Sequence, residues 1–366
     1  MSSAGGEQPR SAEGGPVRSA ERGPARSAGE QPRSAERGSA ADRALMADPF
    51  SFNMGSAEVG GGYGVGLAFA ELGDRRDDVV MVAPDMGVTP VGGIFVARHP
   101  ERFFDVGIAE TNAMSVAAGL AAEGFIPYVV CMASFAVLKC AEQIRTDLAF
   151  TQLPVRVLAA WSGLAMGYFG TSHHAVEDIA VARAITNLTL VAPCDEASAA
   201  SLLESTVDHP GPIVFRLGDG QERPVHEAGV VIERGRFVEV RPGGDATVIA
   251  TGREVGESLK AARMLAEEGV DVGVLDAAYL KPLDEMAILE AARRTRRILT
   301  VEEHNVAGGL GSAVAEVLGR NSVPVRLSQH GLPDEPILSG FPGELYEHYG
   351  LDAGGIVGRL RDLIGT

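Results

Sequence analysis

One acidic side chain, Glu110, lies where an extended apolar run, residues 103–108, changes into a helix of small residues, 111–122. Its neighbourhood in the chain is apolar, with Ile108 before it and Met114 after it. Burying a carboxylate in such a setting is costly unless a hydrogen-bond donor reaches it. Two interpretations stay open: a first-turn Glu stabilised by the helix dipole, or an acid whose pKa is perturbed for proton transfer.

Further residues that could take part in catalysis or binding follow predicted strands or lie in a loop. Asp85 and Arg216 end strands, Phe135 lies at a strand-to-helix corner, and His173 and His174 close a glycine-rich loop. Because open parallel sheets bind ligands outside the carboxyl ends of their strands, these positions are candidates for a site. Each also has a structural interpretation, as a turn, core, capping or ion-pair residue. Adjacent histidines point apart and no third ligand follows, so the pair does not predict a zinc site.

These residues are carried by two series of alternating strands and helices, which predict an α/β protein whose two domains each have a mainly parallel sheet flanked by helices. The predicted boundaries are a repetitive disordered tail at 1–50, a first domain at 51–220, a linker at 221–245 and a second domain at 246–366. Strands are predicted at 79–83, 103–106, 126–132, 155–161, 189–191, 213–216, 247–250, 272–275, 298–301 and 325–327. Helices are predicted at 59–72, 111–122, 135–150, 174–186, 196–208, 256–268, 284–295 and 311–318.

The N-terminal segment has its own composition. The eight residues 6–13 recur at 29–36, and no aromatic residue occurs in residues 1–44. Such a segment cannot bury enough apolar surface to offset the entropy of ordering it. We therefore expect residues 1–45 to be dispensable for activity.

Composition narrows the function classes. The chain has 366 residues and a net charge of −17, which argues against a nucleic-acid or anionic-membrane surface. No apolar run approaches the roughly 20 residues of a membrane span, and the N-terminus lacks the apolar region of a secretory signal. Its three cysteines, Cys131, Cys140 and Cys194, have no metal-ligand spacing and are odd in number. A cytoplasmic protein is the expectation.

The run Asp105–Asn112 resembles the Asp-x-Gly-Ile-Ala-Glu motif in the pyrimidine-binding domain of the transketolase family, which includes the deoxyxylulose-phosphate synthases and the two-subunit transketolases. The resemblance covers roughly residues 55–366 and implies the thiamine-diphosphate-binding fold followed by a transketolase C-terminal domain. Further matching motifs, in order, lie at 117–121, 134–135, 142–147, 152–155, 172–173, 177–180, 281–284 and 300–303.

The resemblance also implies roles for individual residues. Glu110 matches the glutamate that hydrogen-bonds N1′ of the cofactor's aminopyrimidine, and Phe135 matches the aromatic ring that stacks on it. His173 matches a histidine that faces the hydroxyl groups of the sugar substrate, which makes it a second catalytic candidate beside Glu110. The remaining expected cofactor contacts are Asp85, Ile108, Met132 and Leu138, and the remaining expected substrate contacts are His174, Arg216 and Phe169.

The family's diphosphate-binding motif, Gly-Asp-Gly followed by Asn, has no counterpart at suitable spacing. The one Gly-Asp-Gly run, residues 218–220, leads into the predicted linker and is interpreted as a turn. The glycine-rich run 60–66 lacks a preceding strand and the Gly-Lys-Ser/Thr of a phosphate loop. The resemblance therefore implies a separate N-terminal subunit that supplies the diphosphate and Mg²⁺ site, with thiamine diphosphate bound across an interface in an α₂β₂ assembly.

One departure concerns the substrate. Relatives commonly have an Asp in the loop before the histidine, and Phe169 stands at that position here. Replacing a carboxylate by a ring removes a partner for a hydroxyl group and adds apolar area. We expect a transferase that moves a two-carbon ketol unit between sugar or sugar-phosphate substrates, with a modified sugar as one possibility. The alternatives are a deoxyxylulose-phosphate-synthase-like or α-keto-acid decarboxylating subunit, and a non-catalytic regulatory subunit.

Overall fold

The computed structural model describes residues 63–86 and 89–365. The predicted tail, residues 1–50, and the start of the first predicted helix, 59–62, lie outside this part of the chain. The described residues form two mainly parallel sheets flanked by helices, which confirms the predicted fold class. Among them, no helix combines the length and apolar character needed to cross a membrane.

The first half of the chain builds most of one sheet. Its strands are β1 (Val79–Ala83), β2 (Phe103–Asp105), β3 (Ile126–Met132), β4 (Arg156–Ala160), β5 (Thr189–Val191) and β6 (Ile213–Arg216). Its helices are α1 (Tyr63–Arg75), α2 (Gly93–Arg98), α3 (Glu110–Ala122), α4 (Ala133–Ala136), α5 (Ala141–Gln143), α6 (Asp178–Ala184) and α7 (Glu196–Thr206).

The second half adds a further sheet. Its strands are β7 (Val238–Arg241), β8 (Ala246–Ala250), β9 (Val272–Asp276), β10 (Tyr279–Lys281), β11 (Arg297–Asn305) and β12 (Arg326–Leu332). Its helices are α8 (Glu254–Ala266), α9 (Glu285–Thr295), α10 (Leu310–Arg320), α11 (Pro342–His348) and α12 (Ala353–Ile364).

The first sheet has the order β10-β5-β6-β4-β3-β1-β2, and the second has the order β12-β11-β8-β9-β7. All neighbouring strands are parallel except the edge pairs β10–β5 and β7–β9. Strands such as β1 and β4 are buried along their whole length, as expected when helices cover both faces of a parallel sheet. On one face of the first sheet, α1 and α2 pack together through stacked rings of Phe69 and Phe95, 4.5 Å apart.

The two halves are interlocked. Strand β10 comes from the second half of the chain but pairs with β5 at the edge of the first sheet. One apolar core runs from α3 on the first sheet to α9 and α10 on the second. Strand β7 lies inside the range predicted as a linker and pairs with β9. The domain boundaries stay a prediction, whereas the strand pairing fixes the two sheets against each other.

The predicted helix 135–150 is not continuous. Its place is taken by α4, a turn at residues 137–140, the short α5 and a π-helical segment, Ile144–Ala149. The turn residues are all compatible with a helix, so the apolar pattern carried no signal for the break. Lys139 lies in this turn, and π-helical segments are frequent beside functional sites.

Candidate functional site

Glu110 is the first residue of α3 and lies beyond the carboxyl end of β2. Gly107, with a φ of +69°, turns the chain between strand and helix, a backbone conformation that glycine adopts without strain. The preceding Ala109 offers no capping side chain. Glu110 therefore occupies the positive end of the helix with only 6% of its surface exposed.

Lys139 is the direct partner of this carboxylate, with its Nζ 2.6 Å from Glu110 Oε2. Burial acts to raise the pKa of Glu110, but the hydrogen bond from Lys139 and a backbone N–H outweigh it and leave that pKa lowered. The Lys139 side chain is itself 51% exposed. Sequence reasoning missed Lys139, although it is the lone cation in the apolar stretch 132–140.

Three rings lie beside this ion pair. Lys139 Nζ is 5.9 Å from the centre of the Phe135 ring, which meets His173 edge-on at 5.4 Å between ring centres. Phe169 lies on the other side of His173, with ring centres 4.7 Å apart. Glu110, Lys139, Phe135, His173 and Phe169 are called the Glu110 cluster below.

The loop that carries His173 and Phe169 is held by the second half of the chain. Glu303, near the end of β11, accepts hydrogen bonds from the Leu164 N–H at 2.7 Å and the Tyr346 hydroxyl at 2.6 Å. Gly163 begins the loop with a φ of +63°, and a Cβ there would lie 2.0 Å from the Glu303 carboxyl carbon. His173 is further oriented by Ser172, whose Oγ lies 2.9 Å from Nδ1. Contacts with the second half of the chain thus position the loop that carries two rings of the Glu110 cluster, His173 and Phe169.

Exposed apolar side chains occur at the predicted cofactor positions. Ile108 is 79% exposed and Leu138 is 38% exposed, whereas Met132 is half-buried at the end of β3. Asp85 is exposed, has a φ of +61° and donates its backbone N–H to Asp105 Oδ1 at 3.2 Å. All four follow strands at the same carboxyl edge of the first sheet as the Glu110 cluster. Two of them, Ile108 and Leu138, are therefore exposed apolar side chains at this edge of the sheet.

Two predicted substrate residues, His174 and Arg216, are buried. His174 faces the carbonyl oxygen of Gly167 at 3.4 Å, and burial lowers its pKa. Arg216 pairs with Asp178 at 2.9 Å and also donates to the carbonyl oxygens of Ala175 and Glu303. These contacts secure the loop and the packing between the sheets, and a substrate contact for either residue stays a prediction.

Residues 60–62 of the first glycine run lie outside the described residues, whereas Gly64, Gly66 and the second run have defined surroundings. Gly64, the second residue of α1, donates its N–H to Glu196 Oε1 at 3.1 Å, and a Cβ at Gly66 would lie 2.1 Å from the Pro90 carbonyl oxygen. The second run contains Asp219, whose Oδ1 accepts the N–H of Gln221 at 2.9 Å. Gly64 and Gly66 therefore lie in close packing contacts, and the second run makes a local Asp219–Gln221 hydrogen bond after β6.

Comparison with known proteins agrees with this arrangement. The family model "Transketolase, pyrimidine binding domain" matches residues 59–222, and "Transketolase, C-terminal domain" matches residues 235–356. The chain is 39% identical over 287 residues to an apulose-4-phosphate transketolase subunit of Phocaeicola vulgatus, covering 78% of this chain and 91% of that protein. It is 38% identical over 302 residues to 1-deoxy-D-xylulose-5-phosphate synthase 2 of Geobacter sulfurreducens, covering 81% of this chain and 48% of that protein.

A solved structure described as a split gene transketolase, inactive β4 tetramer, is also similar. It superimposes with a TM-score of 0.77 at 35% sequence identity, covering 83% of this chain and 97% of that chain.

Proposed function

Because this chain belongs to the transketolase family, we propose that it is the pyrimidine-binding subunit of a transferase that moves a two-carbon ketol unit between sugar or sugar-phosphate substrates. A separate subunit would hold the diphosphate of thiamine diphosphate and its Mg²⁺. The observation that carries the proposal is the buried Glu110 carboxylate, linked through Lys139 to the Phe135 ring, at the carboxyl edge of a parallel sheet.

The residues present fit one half of the cofactor. Glu110 offers a carboxylate for N1′ of the aminopyrimidine, and Phe135, half-buried, offers a ring face for stacking. The exposed Ile108 and Leu138 would form apolar walls once covered, with Met132 behind them and Asp85 towards the other subunit. When bound, thiamine diphosphate supplies a nucleophilic carbon; Glu110 would hold the proton at N1′ and so favour the reactive tautomer.

His173 and Phe169 face the substrate side in this proposal. Nδ1 of His173 is engaged by Ser172, so we assign Nε2 to a substrate hydroxyl group. The Phe169 ring, packed against His173, would favour a sugar that presents less polarity at that position. The similarity to a subunit named for apulose 4-phosphate makes that sugar phosphate a donor to test beside xylulose 5-phosphate, with ribose 5-phosphate as acceptor.

A partner subunit is supported by two observations. The side chains of Ile108 and Leu138 are exposed beside the Glu110 cluster, where a second protein surface would exclude water. The similar structure with only β chains is described as inactive. We propose that activity requires the diphosphate-binding subunit, in an α₂β₂ assembly.

The test is reconstitution with that partner subunit, thiamine diphosphate and Mg²⁺, followed by the Glu110→Gln variant. Turnover should fall by about 10²–10⁴-fold, the range of general acid–base contributions, while circular dichroism and assembly stay unchanged. Glu123→Gln is the matched control, because Glu123 is exposed at the other end of the same helix, α3. A Glu110→Gln variant that keeps most of its activity contradicts the assignment.

Substrate choice has its own experiment. Phe169→Asp restores the acid common in relatives, and it should raise kcat/KM for xylulose 5-phosphate relative to apulose 4-phosphate. The reason is that the carboxylate regains a hydroxyl partner; at a position that is 51% exposed in this chain, such a hydrogen bond is worth about 0.5–1.5 kcal/mol. An unchanged ratio of the two kcat/KM values would show that Phe169 does not select the sugar.

A second candidate is a deoxyxylulose-phosphate-synthase-like or α-keto-acid decarboxylating subunit, favoured by the 38% identity to a deoxyxylulose-phosphate synthase. Release of CO₂ from pyruvate by the reconstituted enzyme separates it from ketol transfer. A non-catalytic regulatory subunit, which the Phe169 substitution favours, would leave the partner's turnover independent of Glu110.

A further inference from the structure

A second group of side chains, distinct from the Glu110 cluster, joins three separate segments of the chain. Cys194 follows β5 of the first sheet, His226 lies in the segment before β7, and Asp276 ends β9 of the second sheet. Cys194 Sγ is 3.4 Å and His226 Nε2 is 2.8 Å from the same oxygen, Asp276 Oδ2. The three potential ligand atoms all lie within 4.8 Å of one another.

The Asp276 carboxylate is fully buried, and the side chain of His226 is only 6% exposed. Within residues 63–86 and 89–365, Asp276 Oδ1 has no hydrogen-bond partner. A buried carboxylate oxygen without a donor is costly, so such an atom in a folded protein points to a further partner. A bound cation would be such a partner for the Asp276 carboxylate.

We propose that Cys194, His226 and Asp276 form a site for a divalent transition metal, with Zn²⁺ as the expected ion. Thiolate, imidazole and carboxylate are the three ligand types that Zn²⁺ takes in proteins, whereas Mg²⁺ and Ca²⁺ prefer oxygen alone. The assignment needs neither the partner subunit nor the proposed transferase activity.

The two ligand distances that involve Asp276 Oδ2 are close to those of a zinc site, and Cys194 Sγ and His226 Nε2 lie within 4.8 Å of each other. Zinc–ligand bonds of about 2.0–2.3 Å in a tetrahedron place neighbouring ligand atoms roughly 3.4–3.7 Å apart. The distance between Cys194 Sγ and Asp276 Oδ2 already has that value, and the 2.8 Å between His226 Nε2 and Oδ2 would open by roughly 0.6 Å. The fourth position would be taken by Asp276 Oδ1 or by water.

Charge and protons balance in this arrangement. On binding, Cys194 releases its thiol proton to solvent and binds as a thiolate. The proton of the hydrogen bond between His226 Nε2 and Asp276 Oδ2 moves to His226 Nδ1 or is released to solvent, so that Asp276 binds as a carboxylate and His226 as a neutral imidazole through Nε2. The two negative ligands then neutralise the 2+ ion.

Neighbouring contacts hold the ligands in place. Asp195 Oδ2 accepts the backbone N–H groups of Val225 and His226 at 2.8 and 2.7 Å, which fixes the segment that carries the imidazole. Ser198 Oγ accepts the Cys194 N–H at 3.1 Å, which fixes the segment that carries the thiol. Such outer contacts orient metal ligands and tune their affinity. A bound ion would therefore tie the first sheet, the connecting segment and the second sheet together.

The test uses the full chain without its partner, stripped with a chelator and titrated with Co²⁺ or Zn²⁺. One equivalent of Co²⁺ should produce a thiolate charge-transfer band and intense tetrahedral d–d bands, and one Zn²⁺ per chain should remain after desalting. Cys194→Ser should abolish the charge-transfer band and weaken Zn²⁺ binding by more than about 100-fold, the upper range for losing a mere outer contact. Cys131→Ser, at a buried cysteine of β3 outside the triad, should leave both readouts unchanged.

Several outcomes would overturn the site. These are a wild-type Co²⁺ spectrum without a thiolate band, Zn²⁺ retention by Cys194→Ser equal to wild type, or no stoichiometric metal at all. The last result would assign the triad to hydrogen bonding between the sheets alone. If Cys194→Ser does not fold, the wild-type Co²⁺ spectrum decides, because it requires no variant.

Discussion

Arg216 provides the sharpest test of how the two sheets are joined. It ends β6, and its guanidinium reaches Asp178 at the start of α6 and the carbonyl oxygens of Ala175 and Glu303. Both members of the ion pair are 3% exposed. Replacing Arg216 by Met keeps a long apolar side chain but removes the donor of the buried Asp178 carboxylate and of the Glu303 carbonyl group, whereas the Ala175 carbonyl keeps the Gly163 N–H at 3.1 Å.

The cost follows from that burial. Removing one partner of a buried ion pair destabilises a protein by about 3–5 kcal/mol, because the remaining charge is uncompensated. With an unfolding entropy of about 2.1 cal/mol/K per residue and roughly 300 folded residues, each kcal/mol lowers Tm by roughly 1.6 °C. Arg216→Met should therefore lower the Tm by roughly 5–8 °C.

Calorimetry of the isolated chain measures this shift. Arg320→Met is the matched control, since its ion pair with Glu285 at 2.8 Å is more than half exposed on both sides and should contribute little. Adding Asp178→Leu to Arg216→Met should recover most of the loss, because no buried charge then remains. A wild-type Tm for Arg216→Met would refute this reasoning, and a raised KM for sugar phosphate at unchanged Tm would favour a substrate role instead.

Three further variants test the Glu110 cluster and its surroundings. Lys139→Met removes the ion pair that holds the pKa of Glu110 down, so wild type should be the more stable above the carboxyl's unfolded pKa of about 4.3. In urea unfolding, that advantage should vanish as the pH falls through the lowered folded pKa, and a difference independent of pH would contradict it. Gly163→Ala should lower the Tm, because its φ is +63° and its Cβ would collide with Glu303; a wild-type Tm would mean that the loop yields freely. Gly119→Ala, in open space on α3, should instead add about 0.5–1 kcal/mol of stability.

Local sequence patterns predicted the helices and strands best where the burial of apolar residues determines the secondary structure. Apolar runs such as 79–83 and 126–132 predicted β1 and β3 with their observed bounds, because strands buried on both faces read as continuous apolar segments. Helix α9 lies where its pattern predicted, and Asp284 caps it by accepting the Ala287 N–H at 3.0 Å. The edge strands β7 and β10 escaped prediction because they are short and depend on a distant partner for their hydrogen bonds.

Some residues of the candidate site were likewise predictable from the sequence, and others were not. The motifs around Glu110, Phe135 and His173 resemble those of the pyrimidine-binding half of the transketolase family, and this resemblance needs only the type and order of the residues. Lys139 could not be linked to Glu110 in this way, because the two meet only through an unpredicted turn between α4 and α5.

Some features of this protein follow from its local sequence, and others depend on long-range contacts that form only on folding. The residues of this chain specify two series of alternating strands and helices, because these follow from short-range patterns of burial and residue type. Folding adds the pairing of Glu110 with Lys139, the burial of Arg216 and the convergence of Cys194 with Asp276. The last two residues are 82 positions apart and are brought together only by the packing of one sheet against the other. The spacing of residues in the sequence does not predict such a contact, because the contact is stabilised by packing between the sheets and not by local conformation.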